Sequence, residues 1–289
     1  MNSQKQFKRR FSFEFFPPKT PAGMEKLQTV RDTLATHQPD FFSVTYGAGG
    51  STQERTIDTV LTLHKQGIST APHLSCIGAT RKTLGDLLDL YKSNGVNRIV
   101  ALRGDLPSGM GAHGELRYAN DLVAFIREHS GEHFNIEVAA YPEFHPQAPS
   151  AEADLINFKR KVDAGANSAI TQYFFNADSY FYFVDRAEKM GVNIPLVPGI
   201  MPITNYSNLV RFSDMCGAEI PRWIRKQLEA YGDDSNSIQQ FGTEVVSKMC
   251  ETLLNQGAPG LHFYTLNQAE ASLSIWNNLG LDDREKIAF

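Results

Sequence analysis

The sequence predicts an α/β protein that forms a single (β/α)8 TIM barrel, with eight parallel strands that alternate with helices. Three observations support this prediction: a length of 289 residues, regular alternation of strand-like and helix-like segments, and the lack of a linker that would divide the chain. Such a barrel typically takes roughly 250 residues in one domain. We therefore expect one domain over residues 1–289. An open, doubly wound sheet is the structural alternative, because it has the same alternation.

Eight short segments rich in Val, Ile, Phe, Tyr and Thr predict the strands, since these residues suit a pleated and packed surface. In chain order they are Phe11–Pro17, Asp40–Gly47, Thr70–Cys76, Arg98–Gly104, Asn135–Tyr141, Ser168–Phe175, Pro195–Met201 and Gly260–Leu266. Because a helical segment separates each strand from the next, the strands are expected to be parallel and joined by right-handed crossovers.

The helical segments carry start and stop signals. The clearest segments are Ser51–Gly67, Thr80–Asn94, Ala151–Ala164 and Ser179–Met190. Thr80 and Ser150 stand where a side chain caps a helix start, and Gly95 and Gly165 stand where a helix ends. Between strands seven and eight, Pro221–Tyr231 predicts an extra helix before the last long one.

Composition excludes several classes of partner. The net charge is −4 and both signs are scattered, so there is no basic stripe for nucleic acid. No apolar run approaches the roughly 20 residues of a membrane helix. The N-terminal stretch resembles a signal peptide, but Glu14 interrupts its apolar part. Cys76, Cys216 and Cys250 are odd in number and far apart, which indicates free thiols in a reducing compartment. We expect a cytosolic protein that binds neither nucleic acid nor membrane.

Polar residues recur where the predicted strands end. In a (β/α)8 barrel the active site lies at the carboxyl ends of the strands. Because a polar side chain in an apolar strand is costly unless it has a partner, recurrence at one rim favours a shared ligand. The residues at these ends include Glu14, Thr45, Tyr46, His73, Arg103, Asp105, Tyr141, His145 and Gln172.

Glu14 is the strongest candidate for a catalytic group. It alternates with Phe13 and Phe15, so it faces the opposite side of its strand and is expected to point into the barrel mouth. We expect surrounding aromatic residues to desolvate the carboxyl and favour its protonated form, as a general acid requires. The alternative is a core glutamate paired with Arg or Lys.

Three other features have two interpretations each. Arg103-Gly104-Asp105 is either a strand-end site or a salt-bridged surface loop, and His73 is either a site residue or a core histidine. A row at helical spacing either faces a ligand phosphate or ribose or forms a solvated face. This row comprises Asp154, Asn157, Arg160 and Lys161.

Two motifs are discounted. Gly109–Gly114 fits the dinucleotide-binding pattern of glycines, but three residues separate it from the preceding strand end. His129–His133 fits a zinc-binding pattern, but a glycine interrupts it and a third ligand is lacking. We expect no metal.

The strand-end segments resemble those of methylenetetrahydrofolate reductases of the bacterial flavoprotein type. The resemblance covers nearly the whole chain in order, and its motifs are long. They are Ser12–Lys19, Ser43–Ala48, Ala71–Leu74, Val100–Pro107, Ala139–Glu143, Asn157–Ala166, Ile170–Phe175 and His262–Asn267.

The resemblance implies a barrel that binds FAD noncovalently. NADH, or NADPH in its place, would reduce the flavin and leave, and methylenetetrahydrofolate would then be reduced to 5-methyltetrahydrofolate. Glu14 would be the general acid, and Asp105 a catalytic pterin ligand that tunes the flavin. Gln172 and Phe212 would contact either substrate, and Thr45 would contact NADH. The FAD contacts would be Tyr46, Ala48, His73, Arg103, Gly104, Asp105, Ala119, Tyr141, His145, Ala148, Asp154, Asn157, Arg160 and Lys161.

Two positions depart from the family pattern on the folate side. Gln268 stands where Arg is common, and Asn208 where Gln is common, so both are expected to bind substrate in an altered way. A regulatory domain is not expected, whereas a homo-oligomer acting on small molecules is. The competing hypotheses are another flavin barrel, similar to proline dehydrogenase, and a barrel that binds folate or a protein partner without turnover.

Overall fold

The protein forms a parallel barrel, as predicted. The computed structural model describes residues 2–47, 52–105 and 114–282. Its strands are β1 Arg10–Phe15, β2 Phe41–Val44, β3 Thr70–Ser75, β4 Arg98–Leu102, β5 Asn135–Ala140, β6 Ser168–Thr171, β7 Leu196–Val197, β8 Gly199–Ile200 and β9 Gly260–Tyr264. Its helices are α1 Asn2–Lys5, α2 Pro21–Ala35, α3 Gln53–Lys65, α4 Arg81–Ser93, α5 Ala119–Ser130, α6 Ala151–Asp163, α7 Ala177–Lys189, α8 Tyr206–Cys216, α9 Arg222–Tyr231, α10 Ser235–Asn255 and α11 Glu270–Asn278.

The sheet order shows how the barrel closes. Within the described ranges the order is β7-β6-β5-β4-β3-β2-β1-β9-β8, and every pair is parallel. The two ends of this order, β7 and β8, flank Pro198 in one extended segment. Since β7 pairs with β6 and β8 with β9, the sheet returns on itself, which excludes the doubly wound alternative.

Pro198 divides the predicted seventh strand. The segment Pro195–Met201 was expected to be continuous, but it forms two short strands that pair with different neighbours. Proline has no backbone N–H to donate to a ladder. Its carbonyl still accepts a hydrogen bond of 2.9 Å from the N–H of His262, which links this segment to β9.

Alternation along β1 separates the interior of the barrel from its helix layer. Phe13 and Phe15 are fully buried on the outer side, where the ring of Phe13 lies 5.6 Å from that of Trp276 on α11. Ser12 and Glu14 face the interior, where both contact His262 of β9. The prediction that Glu14 points into the barrel is confirmed.

Helix boundaries follow the predicted signals where the structure describes them. The hydroxyls of Thr80 and Ser150 accept hydrogen bonds of 3.1 Å from the N–H of the third following residue. Gly95 and Gly165 have φ of +82° and +113°, a region that favours glycine. Ser51 lies outside the described residues. The extra helix between the seventh and eighth predicted strands is confirmed as α9.

The strands end one to four residues before the predicted positions, most of all β6, which ends at Thr171 rather than Phe175. The residues beyond each end leave the ladder and form the loops of the candidate site. At the opposite end, the side chain of Gln4 is almost inaccessible and accepts a 2.9 Å hydrogen bond from the N–H of Leu196. Across the described ranges, no helix combines the length and apolar character needed to cross a membrane.

Candidate active site

Two adjoining cavities open at the carboxyl ends of the strands. The mouth cavity, of about 400 Å³, lies over the barrel interior and is lined by Glu14, Thr45, His73, Gln172, Phe212 and Tyr264, among others. The side cavity, of about 630 Å³, is lined by residues that follow β4 and β5 and by one face of α6. Tyr46, Asp105 and Tyr141 line both, so the two cavities form one continuous site.

Most of the predicted site residues meet at these cavities. The row at helical spacing on α6, which comprises Asp154, Asn157, Arg160 and Lys161, faces the side cavity. The predicted residues that line it are Tyr46, Arg103, Gly104, Asp105, Ala119, Tyr141, His145, Ala148, Asp154, Asn157, Arg160 and Lys161. Ala48 and residues 109–113 of the discounted glycine motif lie outside the described residues. The position of each side chain is thus known, whereas its role stays a prediction.

The Glu14 carboxylate lies among three polar side chains from neighbouring strands. Oε2 is 3.1 Å from Nε2 of His73 and 3.4 Å from Nε2 of His262, and it accepts a 3.3 Å hydrogen bond from the Ser43 hydroxyl. The contact with His73 is within ion-pair distance but is not aligned as a hydrogen bond. Only 12% of the Glu14 side chain is exposed. Its partners are therefore histidines, not the Arg or Lys of the alternative interpretation.

The expected protonation of Glu14 is wrong for the resting site. Burial by itself raises the pKa of the carboxyl, but His73 and His262 together outweigh it and lower the pKa to about 2. The reason is geometric. The aromatic neighbours in sequence, Phe13 and Phe15, point into the helix layer, whereas the neighbours inside the barrel are two histidines. The resting carboxyl is ionised.

Ser12 and His262 form a second layer beneath Glu14 that the sequence interpretation missed. The Ser12 hydroxyl lies 2.7 Å from Nδ1 of His262, and both residues are buried. A signal for them existed. Ser12 stands two residues before Glu14, and His262 two residues before Tyr264, so strand alternation places both in the interior.

The position of His73 is compatible with both of its interpretations, and its role stays a prediction. It is a buried histidine inside the barrel, and it also lines the mouth cavity beside Glu14. Other lining residues that were not predicted include Tyr118 at the side cavity and Met201, Met215, Cys216 and Tyr264 at the mouth cavity.

One wall of the side cavity, the cationic wall, carries Arg103, Arg160 and Lys161 and suits an anion. The Lys161 ammonium donates a 2.6 Å hydrogen bond to the carbonyl of Ala139. Burial lowers the pKa of Lys161 to about 8, Asp154 opposes this shift, and Arg103 adds to it. Arg160 donates to Asn157 at the same wall. Guanidinium and ammonium groups are the usual partners of phosphate oxygens.

An aromatic pair lies between the cationic wall and the mouth. The rings of Tyr141 and His145 pack edge to face with centroids 4.6 Å apart. Asp154 holds the loop by accepting a 3.0 Å hydrogen bond from the N–H of His145. Burial and the nearby Arg103 lower the pKa of His145, although Asp154 opposes them.

Gly104 allows the chain to turn tightly between Arg103 and Asp105. Its φ is +87°, and a Cβ at this position would lie 1.9 Å from the hydroxyl of Ser75. Arg103 donates to the side chain of Gln147. Both Arg103 and Asp105 line cavities, so this segment has the position expected of a strand-end site.

The two departures from the family pattern lie away from the mouth cavity. Asn208 is exposed on the first turn of α8, where its side-chain oxygen accepts a 3.3 Å hydrogen bond from Arg211. Gln268 lines a separate polar groove of about 540 Å³ between α10 and α11. Their contacts with substrate stay predictions.

The discounted zinc-like motif has ordinary hydrogen bonds. His129 pairs with Asp89 at 2.9 Å, and His133 lies 3.0 Å from the carbonyl of Val96. In the part of the chain that the structure describes, no group of three or more His, Cys, Asp or Glu side chains is arranged to hold a metal ion.

A parallel barrel with an acid–histidine cluster and a cationic cavity at the carboxyl ends of its strands defines the class as (β/α)8-barrel enzymes. The family model described as methylenetetrahydrofolate reductase matches residues 1–280. The chain belongs to this family of oxidoreductases.

The relatives agree with this assignment. The 5,10-methylenetetrahydrofolate reductases of Salmonella typhimurium and Escherichia coli are both 44% identical over 271 residues, which cover 93% of this chain and 90% of theirs. Methylenetetrahydrofolate reductase (NADH) 1 of Zea mays is 38% identical over 96% of this chain, which spans only 49% of the plant protein.

A solved structure supports the fold alone. A Clostridium thermocellum protein described as binding two copies of 5-methyl-5,6,7,8-tetrahydrofolic acid has a TM-score of 0.70 and 15% identity, with 97% of this chain and 98% of that chain covered.

Proposed function

We propose that this protein reduces 5,10-methylenetetrahydrofolate to 5-methyltetrahydrofolate, with NADH or NADPH as the electron donor and noncovalent FAD as the carrier. One observation carries the proposal: the buried Glu14–histidine cluster lines a mouth cavity that is continuous with the cationic side cavity. The mouth cavity has a volume of about 400 Å³. In the proposed ping-pong reaction the two substrates would bind there in turn.

The side cavity fits the chemistry of FAD. Arg103, Arg160 and Lys161 offer cationic donors for a pyrophosphate. Burial disfavours the charge of the Lys161 ammonium, so a bound anion would stabilise it. Bound FAD would supply hydride transfer between nicotinamide and folate, and the protein would supply position and electrostatics.

In this proposal Asp105 recognises the folate substrate and Glu14 supplies the proton. The Asp105 carboxylate lines both cavities and offers two oxygens to the adjacent N–H donors of the pterin pyrimidine edge. Glu14 would protonate the leaving nitrogen of the five-membered ring, which opens the ring to an iminium that accepts hydride. Gln172 and Phe212 border the same cavity and would orient either substrate.

The three free cysteines, Cys76, Cys216 and Cys250, support the further proposal of a cytosolic enzyme. A homo-oligomeric state stays a prediction.

The cofactor proposal predicts a yellow protein that releases FAD on denaturation. Lys161→Met is expected to weaken FAD retention by roughly 10- to 150-fold, because a charged hydrogen bond contributes about 1.5–3 kcal/mol. Lys159→Met is the matched control, since Lys159 instead pairs with Asp163 at 2.6 Å on the same helix. FAD affinity is measured by fluorescence titration. A folded, colourless protein that takes up no added FAD would contradict the proposal.

The role of Asp105 predicts a defect on the folate side. Asp105→Ala is expected to weaken folate binding by roughly 10- to 150-fold and to slow oxidation of the reduced flavin by methylenetetrahydrofolate. Asp89→Ala, which removes an exposed carboxylate paired with His129, is the control. Unchanged folate kinetics in a folded Asp105→Ala protein would remove Asp105 from the substrate site.

A further inference from the structure

We propose that Ser12 and His262 form a tautomer switch beneath Glu14, so that these two positioning residues hold the Glu14 carboxyl in both its ionised and its protonated form. The inference rests on the proposed role of Glu14 as an acid. Two contacts in series support it. The Ser12 hydroxyl is 2.7 Å from Nδ1 of His262, and Nε2 of His262 is 3.4 Å from Oε2 of Glu14.

The His262 ring is fixed in place, so only its proton position is free to change. The ring is 0% exposed, and Ser12 is 2% exposed. Phe41 stacks on the ring at 6.1 Å between centroids, and Tyr264 packs edge to face at 5.3 Å. The proposed switch takes this enclosed ring as neutral, since a buried charge is costly.

A neutral imidazole has one N–H donor and one bare nitrogen acceptor. An ionised Glu14 only accepts, so Nε2 carries the proton and Nδ1 accepts a hydrogen bond from the Ser12 hydroxyl. A protonated Glu14 donates to a bare Nε2, so Nδ1 carries the proton and donates to the Ser12 oxygen. The ring holds one proton in both states, and the additional proton resides on Glu14. A serine hydroxyl completes this exchange because it both donates and accepts.

Other groups also face Glu14 in the described structure. The Ser43 hydroxyl of β2 donates to the carboxylate and, as a hydroxyl, can also accept from the protonated form, whereas His73 of β3 lies at ion-pair distance. The Tyr264 hydroxyl is committed to the carbonyl of Thr171 at 2.8 Å. Asp105 and Tyr141 line the same cavity from β4 and β5. A general acid must regain its proton in each cycle, and the switch provides a partner for that state.

Ser12→Ala tests the switch because it leaves an Nδ1–H without an acceptor. A buried N–H without a partner is rarer than an unpartnered acceptor, so the ring should stay in the Nε2–H form and favour ionised Glu14. The protonated acid then becomes harder to form. The rate of flavin oxidation by methylenetetrahydrofolate should fall off at a pH lower by about one unit, the equivalent of one lost hydrogen bond. The pH profile of reduction by NADH should not move.

Two variants separate the switch from general damage. Ser12→Thr keeps a hydroxyl and should retain the wild-type pH profile. Ser168→Ala removes another interior hydroxyl, one that donates to Glu137 at the opposite end of the barrel, and should alter stability without moving the profile. An unmoved profile in Ser12→Ala, while both half-reactions proceed, would overturn the switch and leave the proposed function intact.

A spectroscopic test does not depend on turnover. In holoprotein with ¹⁵N-labelled histidine, assigned with His262→Gln, the wild-type ring should be neutral with its proton on Nε2 near neutral pH. A ring protonated on Nδ1, or on both nitrogens, would overturn the proposal whatever the activity. Saturation with tetrahydrofolate, which lacks the reactive methylene carbon, should shift the proton to Nδ1 in the wild type and not in Ser12→Ala. If tetrahydrofolate binds and shifts the His262 proton equally in the wild type and in Ser12→Ala, the assignment to Ser12 is wrong.

Discussion

Glu14→Gln is expected to slow reduction of methylenetetrahydrofolate by roughly 10²–10⁴-fold while the flavin is still reduced by NADH at a near-normal rate. Hydride transfer from NADH needs alignment but no proton donor, whereas the folate ring opens only when its leaving nitrogen is protonated. Glutamine preserves the shape of Glu14 and its hydrogen bonds to neighbouring side chains, but it has no acid proton to deliver. The loss should therefore fall on one half-reaction.

Stopped-flow absorbance of the bound flavin measures each half-reaction separately. Glu143→Gln is the matched control, because Glu143 is a half-buried carboxyl that accepts from the N–H of Glu219 and borders neither the mouth cavity nor the side cavity. Equal losses in both half-reactions of Glu14→Gln would mean that Glu14 only holds the site together. If neither half-reaction slows, another group supplies the proton, and His73 is the next to test.

Arg98→Met is expected to lower the free energy of unfolding by about 3–5 kcal/mol. Arg98 of β4 pairs with Glu137 of β5 inside the barrel, at the end opposite the candidate site, and Glu137 is almost completely buried. The variant leaves the Glu137 carboxylate with the Ser168 hydroxyl as its remaining hydrogen-bond partner among the described side chains. A buried charge without a counter-ion is costly, so the effect is larger than the contribution of the pair itself.

Urea unfolding followed by circular dichroism measures this loss. The double variant Arg98→Met/Glu137→Met is the control, because it replaces both charges by apolar groups and should recover most of the lost stability. Equal instability of the single and double variants would show that packing, rather than the unpaired charge, is responsible. Flavin content and both half-reactions should survive in the folded fraction, since residues at the amino ends of the strands serve stability rather than catalysis in this fold.

Local patterns in the sequence were sufficient for most of the fold. Strand composition and the alternation of segments predict the barrel, and the capping residues Thr80 and Ser150 are confirmed at their helices. Pro198 lies within the predicted seventh strand, but the sequence by itself did not show that the strand divides there. A missing N–H shows its effect only when the ladder partners on both sides are known, and these are β6 on one side and β9 on the other.

The candidate site was predicted as a set of positions rather than as an electrostatic environment. The residues at strand ends converge because the carboxyl ends of parallel strands meet at one rim. The pKa of Glu14 could not be predicted in the same way. Its sequence neighbours are aromatic, but Cβ atoms alternate along a strand, so Phe13 and Phe15 do not contact the carboxyl.

The sequence by itself determined the barrel, the rim that holds the site and the family to which the chain belongs, because these depend on short-range periodicity and long motifs. Only the tertiary structure decided which side chains surround Glu14. His73 and His262 come from strands 59 and 248 residues further along the chain, and register across the closed barrel brings both within 3.4 Å of Oε2. Contacts of this kind depend on strand order and closure, which local sequence does not encode, and they set the charge of the carboxyl.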